Sequence, residues 1–121
     1  MTMVRCARII NPTSGELESA SSWLEVGVSY RLISIMAEPG RVLLRIIDRS
    51  GSPSVWDSRM FAATTIDLPD HWVARIGADG SVEIGEGDIL VQGFWEKFFD
   101  GDSDTARVLN DELKRSDRKD T

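Results

Sequence analysis

Two turn dipeptides set the strongest limits on how this chain can fold. Asp79-Gly80 separates two short runs of alternating apolar and polar residues, and Pro39-Gly40 separates two longer runs rich in β-branched residues. Such a dipeptide between two such runs is typical of an antiparallel hairpin. The runs beside Pro39-Gly40 also lack the i, i+3, i+4 spacing of an amphipathic helix. The central part of the chain is therefore predicted to be an antiparallel β-sheet.

The pattern changes after Gly87. Four aromatic residues occupy positions i, i+1, i+4 and i+5, which places them on one side of a short helix. They are Phe94, Trp95, Phe98 and Phe99. We expect this set to pack inward, and the alternative is an exposed anchor for a partner. A last helix is predicted to begin at an N-cap formed by Asp102 or Ser103 and to end near Arg115.

Short strands followed by helices predict an α+β fold that is mainly β. We expect a small antiparallel barrel or a strongly bent sheet, with one or two C-terminal helices closing one end, or else a flatter sheet. Residues 3–12 are predicted as the first strand and residues 59–66 as a later one. At 121 residues the chain has the length of one domain, residues 1–121. Residues 116–121 are polar and are predicted to be a disordered tail.

The cysteine and histidine content limits the chemistry. One cysteine cannot form an intramolecular disulfide, and one cysteine with one histidine cannot supply the nitrogen and sulfur ligands of a structural zinc site. Cys6 has no neighbouring His or Lys to activate it and is expected to be a small buried apolar residue. No cofactor is predicted.

No enzyme signature accompanies these residues, and the chain is predicted not to be an enzyme. His71 is the sole imidazole, and no G-x-S-x-G pattern occurs, so His71 is expected to be a structural or surface residue. The stretch Asp100–Asp104 resembles the opening of a calcium loop, but Thr105 occupies the position that requires glycine. A solvated acid cluster that caps a helix is the expectation there.

The apolar runs are far shorter than the roughly 20 residues that span a bilayer. The N-terminus lacks the pattern of a secretory signal peptide. A cytoplasmic location is the default expectation.

Acidic residues concentrate in one window of the chain. Residues 79–104 contain eight acids and one base, so the net charge of -6 is a local property. Because carboxylates are costly to bury, these acids are expected to form a surface of one sign. Such a surface disfavours nucleic acid and favours a basic protein partner. Arg41, Arg45 and Arg49 recur along one predicted strand and are expected to line a solvated face, although a phosphate contact is an alternative.

Several segments together resemble small acidic bacterial immunity proteins that accompany polymorphic or contact-dependent growth-inhibition toxins. The resemblance covers roughly residues 23–106, and its distinctive part is GFWEKFFDGD. The segments are Val26–Tyr30, Leu44–Asp48 with Gly51 and Pro53, His71–Val73 and Gly93–Asp102.

The resemblance implies a non-catalytic cytoplasmic protein that binds the C-terminal domain of a cognate toxin and blocks its active site. Because immunity proteins share a role without sharing one interface, it assigns no residues. The acidic window fits a basic toxin such as a nuclease, and its residues are the predicted partner contacts. These are Glu83, Glu86, Asp88, Asp100, Asp102 and Asp104, with Trp95 as an aromatic anchor. The alternative is an SH3-like β-barrel module that recognises a peptide or regulates an enzyme.

Overall fold

The computed structural model describes residues 2–11, 13–18 and 21–119, which form eight β-strands and two α-helices. The strands are β1 (Met3–Arg5), β2 (Ile9–Ile10), β3 (Leu17–Glu18), β4 (Ser29–Glu38), β5 (Arg41–Ile47), β6 (Pro53–Asp57), β7 (Trp72–Ile76) and β8 (Val82–Glu86). The helices are α1 (Phe94–Phe99) and α2 (Ser103–Lys119). Two 3-10 turns, Ser58–Met60 and Gly87–Ile89, follow β6 and β8.

Strand β4 is the centre of the main sheet. Within the described ranges this sheet has six strands, five of which follow the order β6-β5-β4-β8-β7, while β1 pairs with the beginning of β4. Each of these pairings is antiparallel. Strands β2 and β3 form a separate two-stranded hairpin. The three partners of β4 therefore join the N-terminal and C-terminal parts of the chain.

A β-bulge in β4 changes which of its side chains face each side of the sheet. Leu32 pairs with Ile46 and Ser34 pairs with Arg45, so Ile33 is an extra residue in the β4 side of the ladder. An inserted residue of this kind shifts the alternation of side chains by one position. Leu32 and Ile35, three positions apart, consequently pack on the same hydrophobic core, while Ile33 belongs to the other.

The two hydrophobic cores cover opposite faces of the sheet. The N-terminal core consists of Val4, Cys6, Ile9, Leu24, Tyr30, Leu32, Leu44, Ile46, Met60 and Phe61. The helix-side core consists of Ile33, Ile89, Leu90, Phe94 and Leu109. Leu44 and Ile46 belong to the first, whereas Ile47 packs against the second, as the alternation along a strand requires. The C-terminal helices therefore cover one face and the N-terminal segments cover the other.

Both predicted hairpins are confirmed. Strands β4 and β5 pair across Pro39-Gly40, and β7 and β8 pair across Asp79-Gly80. The φ of Gly80 is +85°, a conformation that favours glycine. The Asp79 carboxylate accepts hydrogen bonds from the backbone N–H and the hydroxyl of Ser81, at 3.0 and 2.7 Å. These bonds lower the pKa of Asp79 below its ordinary value, with the Ser81 hydroxyl as the largest cause.

Gly85 allows β8 to lie close to the bulged part of β4. A Cβ atom at this position would lie 3.0 Å from the Ser34 Cβ and 3.1 Å from the Ile33 carbonyl oxygen. These distances are shorter than ordinary Cβ contacts, so a larger residue would require β4 to shift by a few tenths of an ångström beside the bulge. The packing of β8 on β4 therefore favours glycine at position 85.

The α+β, mainly β class with C-terminal helices is confirmed, whereas a closed barrel is not found among the described strands. The nearest approach to closure is an isolated bridge between Cys6, just after β1, and Phe61, just after the 3-10 turn that follows β6. Hydrogen bonds from Ala7 N to Met60 O and from Ala62 N to Arg5 O extend this contact. One end of the sheet therefore curls towards itself without a continuous ladder.

The predicted strand at 59–66 is wrong. The Asp57 carboxylate accepts bonds from the backbone N–H of Arg59 at 2.8 Å and from the Arg59 side chain at 2.9 and 3.0 Å. These local bonds favour a 3-10 turn over an extended strand. They also lower the pKa of Asp57, with the Arg59 side chain as the main cause.

Both ends of the chain also differ from expectation. The first predicted strand is divided into β1 and β2, because Cys6 and Ala7 donate their backbone N–H groups to Val28 and Met60. Pro12 lies outside the described residues.

Helix α2 continues to Lys119, although residues 116–121 are predicted as a tail. The helix contains no Gly or Pro that would stop it earlier. Residues 120–121 lie outside the described residues.

Substitutions in α1 should separate its buried and exposed aromatic residues. Phe94 is 6% exposed and Phe99 is 60% exposed. We expect Phe94→Ala to reduce the free energy of unfolding by about 3 to 5 kcal/mol, because a buried ring leaves a cavity. Phe99→Ala should change it by less than about 1 kcal/mol. Urea denaturation followed by tryptophan fluorescence measures both values, and similar losses would contradict this packing of α1.

Cys6 should be protected from thiol reagents by the fold. It is fully buried in the N-terminal core, and this burial raises the pKa of its thiol, although Arg8 opposes the shift. We expect Ellman's reagent to react with the native protein at least about a hundredfold more slowly than with the urea-unfolded chain. Comparable rates in the two states would show that the segment around β1 opens readily.

Candidate functional site

The predicted partner-binding residues differ in their exposure to solvent. Asp88, Asp100 and Asp104 are exposed, Glu83, Trp95 and Asp102 are partly buried, and Glu86 is buried. The expectation that all six acids lie on the surface is therefore wrong for Glu86. The physical reason is that a positive or hydrogen-bonding partner offsets the cost of removing a carboxylate from water, so such a carboxylate can be enclosed.

Glu86 belongs to a cluster of titratable groups beneath α2. His71, immediately before β7, has its Nε2 2.9 Å from Glu86 Oε2 and 3.9 Å from Glu112 Oε2. The two carboxylate residues are 9% and 8% exposed. We call His71, Glu86 and Glu112 the His-Glu-Glu cluster. The prediction of a structural histidine agrees with this enclosed position.

Glu112 is a site residue that sequence reasoning missed. Thr105, Leu109 and Glu112 occupy positions i, i+4 and i+7 of α2, and all three are buried. They lie on the helical stripe that faces the sheet. The spacing of three residues between Leu109 and Glu112 could have indicated that they share a face of the helix. A sequence-based interpretation ordinarily expects a glutamate to face solvent, so this signal is not used.

Arg31, at the beginning of β4, brings positive charge to the same region. Its Nη2 donates a 2.7 Å hydrogen bond to the Leu113 carbonyl oxygen of α2. Arg31, Glu86 and Glu112 also line a small cavity of about 20 Å³. The interface between α2 and the sheet therefore combines apolar packing with several charged groups.

A second enclosed charge, Arg45, lies under α1. It is 6% exposed, and its guanidinium carbon lies 4.0 Å from the centroid of the Trp95 ring, a cation–π geometry. Burial lowers the pKa of Arg45, and the charges of Glu83 and Glu96 act in the opposite direction. The expectation of a solvated arginine face is therefore wrong at this position, because helix α1 covers the middle of β5. Arg41 and Arg49 are exposed as expected.

Glu83 is held beside this arginine by the neighbouring strand. Its Oε2 accepts a 3.0 Å hydrogen bond from the hydroxyl of Ser34, which is fully buried on β4. Glu83 is therefore a structural countercharge as well as a member of the acidic window.

The aromatic residues of α1 are divided between core and surface. Phe94 is in the helix-side core, and Trp95 and Phe98 pack against that core. The Phe99 ring packs edge-on against Phe98 at a centroid distance of 5.2 Å, yet remains 60% exposed. The expectation that the aromatic set packs inward is confirmed for Phe94, Trp95 and Phe98 and is wrong for Phe99.

Asp102 caps α2, as predicted. Its Oδ2 accepts a 2.9 Å bond from the backbone N–H of Thr105, whose hydroxyl donates to the Asp102 carbonyl oxygen at 3.0 Å. The helix therefore begins inside the stretch that resembles a calcium loop, which directs the later positions away from a common ligand shell.

The sequence matches no family model, and comparisons with curated proteins and with solved structures returned no match. The resemblance to immunity proteins therefore stays a prediction. Within the described part of the chain, no helix has the length and apolar character needed to cross a membrane.

The pairing of Glu83 with Arg45 predicts unequal effects of two similar substitutions. Both Glu83 and Glu96 favour the charged form of Arg45, but Glu83 is partly buried and Glu96 is exposed. We expect Glu83→Gln to lower the free energy of unfolding by about 1 kcal/mol and Glu96→Gln to change it by less than about 0.5 kcal/mol. Urea denaturation at neutral pH measures both. An equal effect would contradict the role of Glu83 as the enclosed countercharge.

Proposed function

We propose that this protein is a non-catalytic inhibitor of the immunity-protein class, which binds a cationic toxin domain. The observation that carries the proposal is the largely exposed Phe99 in a segment whose exposed charged groups are mostly acidic. We call residues 87–104 the docking segment. Its exposed acids are Asp88, Glu96, Asp100 and Asp104.

An aromatic side chain surrounded by charged groups is the composition of a protein-binding surface. Phe99 is 60% exposed and Val91 is 61% exposed, although both are large apolar residues. Aromatic residues are enriched among the contacts that contribute most to binding energy, and polar groups form the rim. Phe99 is therefore the proposed anchor, and the exposed acids form the proposed rim.

The charge of the docking segment favours a basic partner. Its exposed carboxylates would attract a cationic surface over several ångströms and accelerate association. On a nuclease they could occupy the positions of substrate phosphates, which would block the active site. Glu83, Asp102 and Glu86 are excluded from this surface, because each has a role within the fold.

The rigid support of the docking segment fits this role. Trp95 and Phe98 hold α1 on the helix-side core, and Asp102 fixes the start of α2. Phe99 and the acids are therefore presented on a preformed surface, which reduces the entropy lost on binding.

The test compares two sets of four substitutions against the toxin domain encoded beside this gene. The first set is Asp88→Asn, Glu96→Gln, Asp100→Asn and Asp104→Asn. The control set, at exposed acids elsewhere, is Glu16→Gln, Glu25→Gln, Asp67→Asn and Asp70→Asn. Both sets remove four negative charges. A difference between their effects on binding therefore depends on where the charges lie and not on the total charge removed.

We expect the first set to slow association about tenfold at low salt and to flatten its salt dependence, because rim charges act mainly on the association rate. The control set should have a much smaller effect. Phe99→Ala should instead accelerate dissociation. Surface plasmon resonance at two salt concentrations measures these rates. Equal effects of the two sets, or a neighbouring gene that encodes no secreted effector, would contradict the proposal.

The second candidate is a peptide-binding module of the SH3-like type. It is favoured by the bridge between Cys6 and Phe61 after the 3-10 turn, and by a cleft of about 430 Å³. The cleft is lined in part by Ile10, Leu43, Val55, Trp56 and Met60. Apolar and aromatic grooves of this kind accept extended peptides. Binding that is lost in Trp56→Ala but retained in Phe99→Ala would favour this alternative.

A further inference from the structure

We propose that the His-Glu-Glu cluster binds one divalent transition-metal ion, with Zn²⁺ as the best match. The inference is independent of the proposed inhibitor function. It starts from the convergence of His71, Glu86 and Glu112 from three parts of the fold. Ligand atoms of all three residues lie within 4.8 Å of one another.

The distances suit a common ion. Zinc bonds to histidine nitrogen and carboxylate oxygen are about 2.0 to 2.2 Å long, so neighbouring ligand atoms lie roughly 3 to 3.5 Å apart. The separation of 2.9 Å between His71 Nε2 and Glu86 Oε2 is close to this range. The separation of 3.9 Å to Glu112 Oε2 is slightly longer. Binding would therefore require Glu112 Oε2 to move closer to the other two ligand atoms.

The two buried carboxylates make the site favourable for positive charge. Glu86 and Glu112 are both buried, and enclosed carboxylates require positive charge nearby. Arg31 supplies one positive charge through a side chain that lines a cavity beside them. A metal ion or a proton on His71 would add to it, and the two possibilities predict different experiments.

A small cavity next to the two carboxylate residues provides space for a water beside a bound ion. Its volume is about 20 Å³, and Trp72, Leu109 and both carboxylate residues are part of its lining. This volume accommodates one water-sized species. Three protein ligands with one open position are a recurrent arrangement for zinc.

The ligand types select the class of metal. Ca²⁺ prefers six to eight oxygen ligands and Mg²⁺ a regular octahedron of oxygens, usually with several waters. A site with one imidazole, two carboxylates and room for one water better suits Zn²⁺ or a similar transition metal. Sequence composition excluded a nitrogen and sulfur site, but it did not address carboxylates brought together by folding.

A bound ion would cross-link helix α2 to the β7–β8 hairpin. His71 and Glu86 lie at the paired ends of that hairpin, since Trp72 and Glu86 are register partners. Glu112 lies in α2 and lines the same small cavity as Glu86. Because the unfolded chain does not hold these ligands together, the ion would bind the folded state and raise the melting temperature.

The first experiment is a titration of tag-free, full-length protein, stripped with EDTA, with Zn²⁺ against a chromophoric chelator. We expect one ion per chain and a higher melting temperature with zinc, and no saturable binding of Mg²⁺ or Ca²⁺. Glu112→Gln and Glu86→Gln should each weaken zinc binding at least about tenfold. Glu96→Gln, an exposed acid on α1, is the matched control and should bind as the wild type does.

The second experiment uses the wild-type chain, so it does not depend on a variant that folds. The protein has one histidine, and a ¹H–¹⁵N spectrum of the imidazole therefore reports on His71 alone. One equivalent of Zn²⁺ should shift the Nε2 resonance. Absence of 1:1 binding, unchanged imidazole resonances, or wild-type zinc affinity in both Gln variants would overturn the proposal. The contact between His71 and Glu86 would then be an internal ion pair or hydrogen bond.

Discussion

The pairing of β4 with β1, β5 and β8, interrupted by one bulge at Ile33, is the arrangement on which both cores depend. Because of the bulge, Leu32 and Ile35 both pack on the N-terminal core, while Ile33 joins the helix-side core. Gly85 allows β8 to approach β4 at that position. If the bulge were removed, the alternation of side chains would slip by one residue, and apolar residues would exchange faces with polar ones. Both the terminal helices and the N-terminal segments therefore depend on this strand.

The two faces of the sheet differ in the chemistry that holds their covers in place. The N-terminal core is apolar, whereas the helix-side layer also encloses Arg45 under α1 and the His-Glu-Glu cluster under α2. Enclosed charges add little net stability when they are compared with apolar packing. They do penalise any arrangement in which their partners are missing. We infer that they specify where each helix lies, while the apolar residues supply most of the stabilising free energy.

The acids of the C-terminal half serve two different purposes. Glu83, Glu86 and Asp102 act within the fold, as a countercharge, a cluster member and a helix cap. Asp88 and Asp104 are exposed to solvent, and they belong to the docking segment proposed as the partner contact. The local excess of negative charge in this part of the chain therefore includes acids that stabilise the fold and acids that face solvent. This division explains how one short stretch of chain could support both an internal site and a binding surface.

The sequence by itself determined the features that depend on neighbouring residues. The hairpins at Pro39-Gly40 and Asp79-Gly80, the short aromatic helix and the cap at Asp102 follow from turn chemistry, helical spacing and local hydrogen bonds. Only the tertiary structure decided which charged residues are enclosed. Glu112 is far from His71 in sequence, and the burial of Arg45 depends on a helix about fifty residues later. The cost of burying a charge depends on its partners, and partners distant in sequence are defined only when the chain has folded.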